Sequence, residues 1–307
     1  MITTICLNPA LDRTVTVDRL VPGEVNRIRT ARTDVGGKAV NVARVCRRLG
    51  LSSQVIGCAG VDGYGKLRDA MQTEGVGCYF HSVEGAIRVN TKVVPLDGAP
   101  VTELNEPGPT LTAEDLDVFF DMAIEHTRHS DFAVITGSLP PGCPADTYRR
   151  LMEALAPVPC VLDVSGEALL HGVEAKPLLI KPNHHELAAT LGRAANTLED
   201  IRAAAQVFLD KGVTHVVVSL GGDGALYVGA EGCCYAPVIP VPVRSTVGAG
   251  DAMVGGLLYG YLHGGTMREG FRAGVAAGTA SVMTEGTQLI VPGDFTSLLA
   301  RVQLQEK

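Results

Sequence analysis

The sequence predicts an α/β protein built on a doubly wound, mostly parallel sheet flanked by helices, and two observations carry that prediction. First, short apolar runs recur along the 307-residue chain: Gln54–Cys58, Phe132–Thr136, Cys160–Asp163, Leu178–Lys181 and Val216–Ser219. They are too short for helices and apolar on both faces, as strands buried in a parallel sheet are. Second, helical patterns separate them. Thr112-Ala113-Glu114-Asp115 and Thr197-Leu198-Glu199-Asp200 place a carboxylate three residues after a hydroxyl, the spacing that opens a helix. Repeated strand–helix alternation puts ligands in the crevice at the carboxyl ends of the strands.

The other elements follow in order. Met1–Leu7 lacks a basic leader pattern and reads as a first strand. Residues 12–34 and 88–105 break the alternation, with β-branched stretches at Thr14–Val17 and Val89–Val94. They predict a small antiparallel sheet projecting from the body as a lid. Apolar residues on both faces of those strands point to a homodimer closed through the lid. From Ala252 to Met283 the chain is small, apolar and helical, with Gly255, Gly256, Gly274 and Gly278 allowing close packing. No repeat or low-complexity segment divides it, so residues 1–307 read as one domain with the lid inserted.

Composition narrows the function. A net charge of −7 and a pI near 5.6 argue against nucleic acid as the main partner. No apolar run approaches the length that spans a membrane. The eight cysteines show no metal-type spacing and lie mostly in apolar stretches, as reduced cysteines of a cytoplasmic protein do. Adjacent Cys233 and Cys234 fit a strand or turn.

Four motifs carry chemistry. Ser245-Thr246-Val247-Gly248-Ala249-Gly250-Asp251-Ala252 is a glycine turn opening onto a helix of small residues. Such a turn leaves N–H groups pointing outward with the positive end of the helix dipole behind them, a ready anion site. Asp251 adds negative charge where a phosphate is welcome. It fits as a base facing a hydroxyl beside that phosphate, although an acid here also caps a helix. Gly36-Gly37-Lys38-Ala39-Val40-Asn41 brings a ligand close to the backbone, with a cation and a bifunctional amide suited to sugar hydroxyls. Lys181-Pro182-Asn183-His184-His185-Glu186 sets Asn183 and Glu186 three apart, able to hold a hydrated magnesium through oxygen. His184 and His185, adjacent on a helix, are expected to point apart and to be surface residues. Ser219-Leu220-Gly221-Gly222-Asp223-Gly224 ends a strand in a glycine turn suited to a nucleotide, or to a plain hairpin. Gly60–Leu67 nearly spells a phosphate-binding loop, but Leu67 stands where a hydroxyl should hold magnesium.

With these motifs in this order, the chain resembles the ribokinase/PfkB carbohydrate kinase family over nearly its whole length, and within it the phosphosugar kinases. Supporting strings are Leu7–Ala10, Gly23–Arg27, Gly60–Asp62, Gly137–Gly142 and Ala300–Gln305. The resemblance implies a ribokinase-like fold and magnesium-ATP-dependent phosphorylation of a hexose phosphate to a bisphosphate. The substrate it favours is fructose 1-phosphate, with tagatose 6-phosphate and fructose 6-phosphate left open. Carried over by position, Asp251 is the base, and Gly248, Ala249 and Gly250 bind the transferring phosphoryl group. Asp12, Gly37 and Asn41 hold sugar hydroxyls. Arg27, Lys38 and Arg88 meet the phosphate already on the sugar, with Asn90 and Ser138 nearby. Lys181, Asn183 and Glu186 organise ATP and Mg2+. Ser219, Gly221, Gly222 and Gly224, with Val243, Val275 and Thr279, line the nucleotide. Ser245, Val247, Ser281, Thr284, Gly286 and Gln288 resemble a monovalent-cation site, for K+, found in some members.

Arg27, Lys38 and Arg88 fall in or beside the lid of an otherwise acidic chain. A sugar dianion needs such cations to offset its lost hydration, and a neutral sugar does not. A catalytically idle sensor on this scaffold would lack the base or the anion turn, and both are intact. A nicotinamide-dependent oxidoreductase would need a dinucleotide loop, yet the carboxylate after Gly248-Ala249-Gly250 repels a pyrophosphate.

Overall fold

The computed structural model describes residues 1–286 and 288–307. The chain opens with β1 (Ile2–Cys6), β2 (Ala10–Val17) and β3 (Ile28–Gly36), then enters helix α1 (Lys38–Arg48). β4 (Ser53–Asp62), α2 (Tyr64–Thr73), β5 (Gly77–Ala86), β6 (Arg88–Pro95) and β7 (Thr102–Asn105) follow. Alternation then sets in, with α3 (Ala113–Thr127), β8 (Phe132–Thr136), α4 (Thr147–Ala154) and β9 (Cys160–Asp163). It continues through α5 (Gly166–Gly172), β10 (Leu179–Ile180), α6 (His184–Leu191), α7 (Leu198–Asp210) and β11 (His215–Ser219). Last come β12 (Ala225–Gly229), β13 (Gly232–Ala236), α8 (Ala249–Gly264), α9 (Met267–Val282), α10 (Pro292–Leu299) and β14 (Gln305–Glu306).

A ten-stranded sheet forms in the order β14-β13-β12-β11-β10-β9-β8-β1-β4-β5. From β11 to β5 every neighbouring pair is parallel, whereas β12, β13 and β14 run antiparallel at the other edge. β1, β8 and β9 are buried throughout, because helices cover both faces. On one face Phe119, Tyr148 and Phe208 anchor the core; on the other, Val45, Leu257 and Phe271 do. Each such side chain contributes roughly 1.5–3 kcal/mol by leaving water. α8 and α9 approach so closely that a Cβ on Gly256 would collide with the Ala273 carbonyl and the Ala277 side chain.

Thr112 with Asp115, and Thr197 with Asp200, form reciprocal capping boxes at the starts of α3 and α7, as their spacing predicts. The strand expected over Leu178–Lys181 is shorter, β10 covering Leu179–Ile180, with an isolated parallel bridge from Asn183 to Ser219 beyond Pro182. All eight cysteines are free thiols, with Cys233 and Cys234 successive residues of β13. Among the described residues no helix is long and apolar enough to cross a membrane.

The lid sheet has the order β3-β2-β6-β7 and is mixed, not antiparallel as expected. β2 pairs β3, and β6 pairs β7, antiparallel, but β2 and β6 run parallel from Ala10↔Arg88 to Val17↔Pro95. The cause lies in the main sheet. β1 and β5 point the same way there, so the strands that continue from them leave the body in one direction and meet side by side. The lid has only a small core of its own, Val15, Val17 and Val93 with Leu20 against them. Val25, Ile28, Leu96, Val101 and Leu104 are exposed.

Candidate active site

Gly248, with φ of 77°, is the residue before α8, and Ala249, Gly250 and Asp251 make its first turn. The left-handed backbone at Gly248 is one that glycine adopts without strain, and it opens the first turn of α8 toward the cleft, where Ala249 N donates to the Thr246 carbonyl at 3.3 Å. Asp251 does not cap the helix. Its Oδ2 accepts from Asn41 Nδ2 in α1 at 2.8 Å, and the side chain lines the cleft while only 6% of the residue is exposed. Burial pushes its pKa up to about 6, and the Asp163 carboxylate adds to the rise; Asn41, Lys38 and Lys181 oppose it.

Asp163 is the residue that reading the motifs missed. It ends β9, is 2% exposed, and offers its two oxygens to two lysines. Oδ1 lies 3.3 Å from Lys181 Nζ and Oδ2 lies 3.8 Å from Lys38 Nζ, while Thr136 Oγ1 donates to Oδ2 at 3.2 Å. Burial works to raise its pKa, but Lys181 and Lys38 outweigh burial and hold the carboxyl below its usual range. Lys181 is buried beside the anion turn: a Cβ on Gly250 would stand 3.1 Å from its Nζ. The available signal was an acid at the carboxyl end of a wholly buried strand.

The side of the cleft that the resemblance assigns to the sugar, called the sugar side below, encloses about 410 Å³. Asp12, Gly37, Lys38, Asn41, Arg88 and Asn90 all line it, as expected. Asp12 pairs with Asn90 across the parallel ladder, and Asn90 Nδ2 donates to Asp12 Oδ1 at 3.1 Å. Burial raises the pKa of Asp12, with Asn90, Lys92 and Arg88 pulling against it. Strand alternation puts Arg88, Asn90 and Lys92 on one face of β6. Lys92 therefore joins the cleft, 3.5 Å from Glu103 of β7, and Asn105 lines it too. None of these three entered the sequence-based set. Ser138 lines an adjoining hollow of about 390 Å³ with Asn8, Lys38 and Arg88, and its Oγ accepts from Asn8 Nδ2 at 3.3 Å.

Two cations differ from expectation. Arg27 is exposed in the β2–β3 connection and lines neither hollow. Lys38 pairs with Asp163 and feels Asp251 and Glu186, which draws it toward the transfer point.

The residues that the resemblance assigns to the nucleotide come together in one cleft. Ser219, Gly221, Gly222 and Gly224 line a cleft of about 530 Å³ opposite Val243, Val275 and Thr279. The glycine turn is also a hairpin, since β11 and β12 pair directly. Asn183, Ser219 and Gly250 line both this cleft and the sugar side, so the two are continuous at the anion turn. His184 and His185 line the nucleotide cleft, and their rings lie 3.8 Å apart. They do not point apart, because at the start of a helix no preceding turn restricts their rotamers.

Asn183 and Glu186 close a capping box on α6, with Glu186 N to Asn183 Oδ1 at 2.8 Å and Asn183 N to Glu186 Oε2 at 2.9 Å. Glu186 keeps its second oxygen, and both residues line the sugar side. Among the described residues no cluster of three or more His, Cys, Asp or Glu forms a metal cage. That donor set fits Mg2+, which takes one or two carboxylates and completes its shell with water and phosphate oxygens.

At the candidate monovalent-cation site, Ser245 N donates to the Val282 carbonyl at 3.3 Å, tying the loop before α8 to the end of α9. Ser281 Oγ is buried without a partner, and Val247 N donates to Ser245 Oγ at 3.2 Å. Thr284 Oγ1 donates to the Ser281 and Leu289 carbonyls, and Gly286 has a φ of 57°. The Gln288 carbonyl accepts from Arg48.

A buried carboxylate beside a glycine turn at a helix N-terminus, a lysine alongside, and two clefts that meet there suit phosphoryl transfer to an alcohol. Comparison with known proteins agrees. The model of the pfkB family carbohydrate kinases matches residues 6–293. The chain is 36% identical over 295 residues to 1-phosphofructokinase of Bacillus subtilis, covering 95% of this chain and 96% of that one. It is 35% identical over 306 residues to 1-phosphofructokinase of Escherichia coli K12, covering 99% and 98%. The crystal structure of phosphofructokinase-2 from Escherichia coli in complex with potassium aligns with a TM-score of 0.91 at 32% identity, covering 98% of each chain. The chain belongs to the pfkB family of carbohydrate kinases, and it is a sugar-phosphate kinase.

Proposed function

We propose that this enzyme transfers the γ-phosphoryl group of ATP to the free hydroxyl of fructose 1-phosphate, giving fructose 1,6-bisphosphate, in the cytoplasm. One observation carries the reading: Asp251 stands at the junction where the sugar side and the nucleotide cleft share Gly250. The sugar lies over Gly37 and Asn41 with Asp12 and Asn90 on its hydroxyls, under the lid. Its own phosphate meets Arg88 and Ser138. The nucleotide runs along Ser219, Gly221, Gly222 and Gly224 with its base toward Val243, Val275 and Thr279.

Asp251 accepts the hydroxyl proton as the new bond forms, and its raised pKa makes it a better base than an exposed aspartate. The N–H groups of Gly248, Ala249 and Gly250, with Lys181 alongside, stabilise the charge on the transferring group. Glu186 and Asn183 would hold a hydrated Mg2+, which would supply charge neutralisation to the phosphate chain. Ser245, Val247, Ser281, Thr284 and Gly286 offer oxygens to a potassium ion that would stiffen the loop leading into the anion turn. The whole chain acts as one ribokinase-like unit whose lid closes over the sugar and excludes water. Two copies meet through the exposed apolar residues of the lid.

Initial rates with ATP and fructose 1-phosphate, tagatose 6-phosphate or fructose 6-phosphate test the assignment. The expected order places fructose 1-phosphate first by kcat/KM. A higher value for either 6-phosphate overturns the substrate, and no turnover with any of the three overturns the activity.

A further inference from the structure

We infer that Asp163 is a positioning residue for phosphoryl transfer: its carboxylate fixes Lys181 and Lys38 in one geometry around the anion turn. The inference rests on the kinase reading above and adds to it a residue that touches neither substrate.

A lysine is a point charge on a flexible four-carbon stem, so its usefulness to a transition state depends on what holds it still. Here one carboxylate holds two. Oδ1 takes Lys181 at 3.3 Å, and Oδ2 takes Lys38 at 3.8 Å, so each oxygen fixes a different ammonium. The carboxylate is itself anchored. Thr136 pairs with Asp163 across the β8–β9 ladder, and its Oγ1 donates both to the Asp163 carbonyl at 2.9 Å and to Oδ2 at 3.2 Å. Both residues sit at the ends of wholly buried strands. The lysines meanwhile come from separate elements, Lys38 from the start of α1 and Lys181 from the end of β10.

Two further observations set this apart from an ion pair that merely supports folding. Lys38, Lys181 and Asp163 all line the cleft where Gly250 and Asp251 meet the sugar side. In addition, a Cβ on Gly250 would stand 3.1 Å from Lys181 Nζ, which places the ammonium directly against the turn. An acid near an anion site weakens anion binding by its charge. Its presence here is accounted for by the orientation it gives the cations, a benefit felt when charge develops on the transferring group.

Asp163→Asn and Asp163→Glu test the inference by steady-state kinetics across pH, with thermal melts as a control for folding. The parent is assayed first on the three hexose phosphates, and the variants on whichever it phosphorylates. A parent inactive on all three overturns the kinase reading; an active parent leaves the variants to decide Asp163 alone. Asp163→Asn is expected to lower kcat about 100-fold, the cost of misplacing groups by roughly an ångström, while KM for ATP and sugar phosphate stays within about threefold. Asp163→Glu, which keeps the charge, is expected to recover part of kcat.

The acid limb of the kcat profile gives an independent readout. Asp251 is faced by Asp163, Lys38, Lys181 and Asn41, and Lys38 is faced in turn by Glu186. Removing the Asp163 charge takes away a repulsion and leaves the lysines less neutralised, so the limb should move to lower pH in Asp163→Asn. The limb shows that Asp163 is ionised beside Asp251, whereas a fall in kcat at unchanged KM, recovered in part by Asp163→Glu in an equally stable protein, is what a purely structural role would not give. Parent-like kcat in a folded Asp163→Asn, or lost activity with an unmoved limb, overturns the inference. Where Asp163→Asn does not fold, Asp163→Glu decides: lowered kcat at unchanged KM supports the inference, and parent-like kcat overturns it.

Discussion

Replacing Asp251 by Asn removes the charge while keeping the shape, and the structure gives both consequences a size. The amide oxygen of the variant can still accept from Asn41 Nδ2, so the hydrogen bond to α1 keeps its partner. In the parent, burial lifts the carboxyl from an ordinary value of 3.8 to about 6. Holding it ionised at neutral pH then costs about 3 kcal/mol, at about 1.4 kcal/mol per tenfold change in proton affinity. Because the folded value lies above the unfolded one, stability is full below about pH 4 and is lost as pH rises through about 6. At pH 7 the charged Asp251 is therefore a net destabiliser, and Asp251→Asn should raise Tm by several degrees. The same change should lower kcat by about 10²–10⁴, the usual worth of a general base, and leave ADP binding by calorimetry unchanged. Thermal melts and steady-state rates on one preparation read both effects. A variant whose kcat stays within about tenfold of the parent refutes the assignment of the base. One that melts lower at pH 7 refutes the energetic reading of its burial.

Other expectations follow from the same geometry. With Asp251 titrating near 6, kcat at saturating substrates should be flat above about pH 7 and fall about tenfold per unit below pH 6; a profile flat to pH 5 would separate catalysis from this carboxyl. Arg88→Ala and Lys92→Ala should each raise KM for the sugar phosphate about 10-fold or more, from roughly 1.5–3 kcal/mol per hydrogen bond to a charged group. KM for ATP should be unchanged, and equal effects on both substrates would take these side chains off the sugar. Leu104→Glu and Ile28→Glu charge exposed lid positions, and light scattering should give the mass of two chains for the parent and of one for the variants.

Features whose cause is local were legible in the sequence. The Thr112 and Thr197 caps, the turn at Gly248 and the buried runs of β8 and β9 each depend on residues within a few positions of one another. The nucleotide residues, although scattered from Ser219 to Thr279, were legible through the family pattern and converge on one cleft. What stayed hidden depends on distances across the fold. Asp163 is a single acid at the end of a strand, and nothing near it in sequence announces the two lysines that reach it. Lys92 reads as one more surface lysine until the β2–β6 register sets it on the face that carries Arg88 and Asn90. The parallel pairing of the lid was illegible for a related reason, because it follows from the direction in which two strands leave a different sheet.

The sequence counts cations, whereas the structure pairs them, and the pairing changes what they mean. Lys38 and Lys181 rest on Asp163, Lys92 rests on Glu103, and Arg88 Nε donates to the Asn8 carbonyl. Desolvated lysines without such partners would destabilise the fold or lose their protons. The cleft therefore carries its own carboxylates opposite its lysines, and an anion that enters has to share or replace those partners. At Lys92 the partner is half exposed, so a sugar dianion can displace it at little cost. At Lys181 and Lys38 the partner is buried and anchored to β8, so it stays. If the proposed function holds, binding specificity rests with the exchangeable pair in the small sheet and rate with the fixed pair beside Gly250. This division explains why charge reversal at Glu103 should act mainly on KM while substitution at Asp163 acts mainly on kcat.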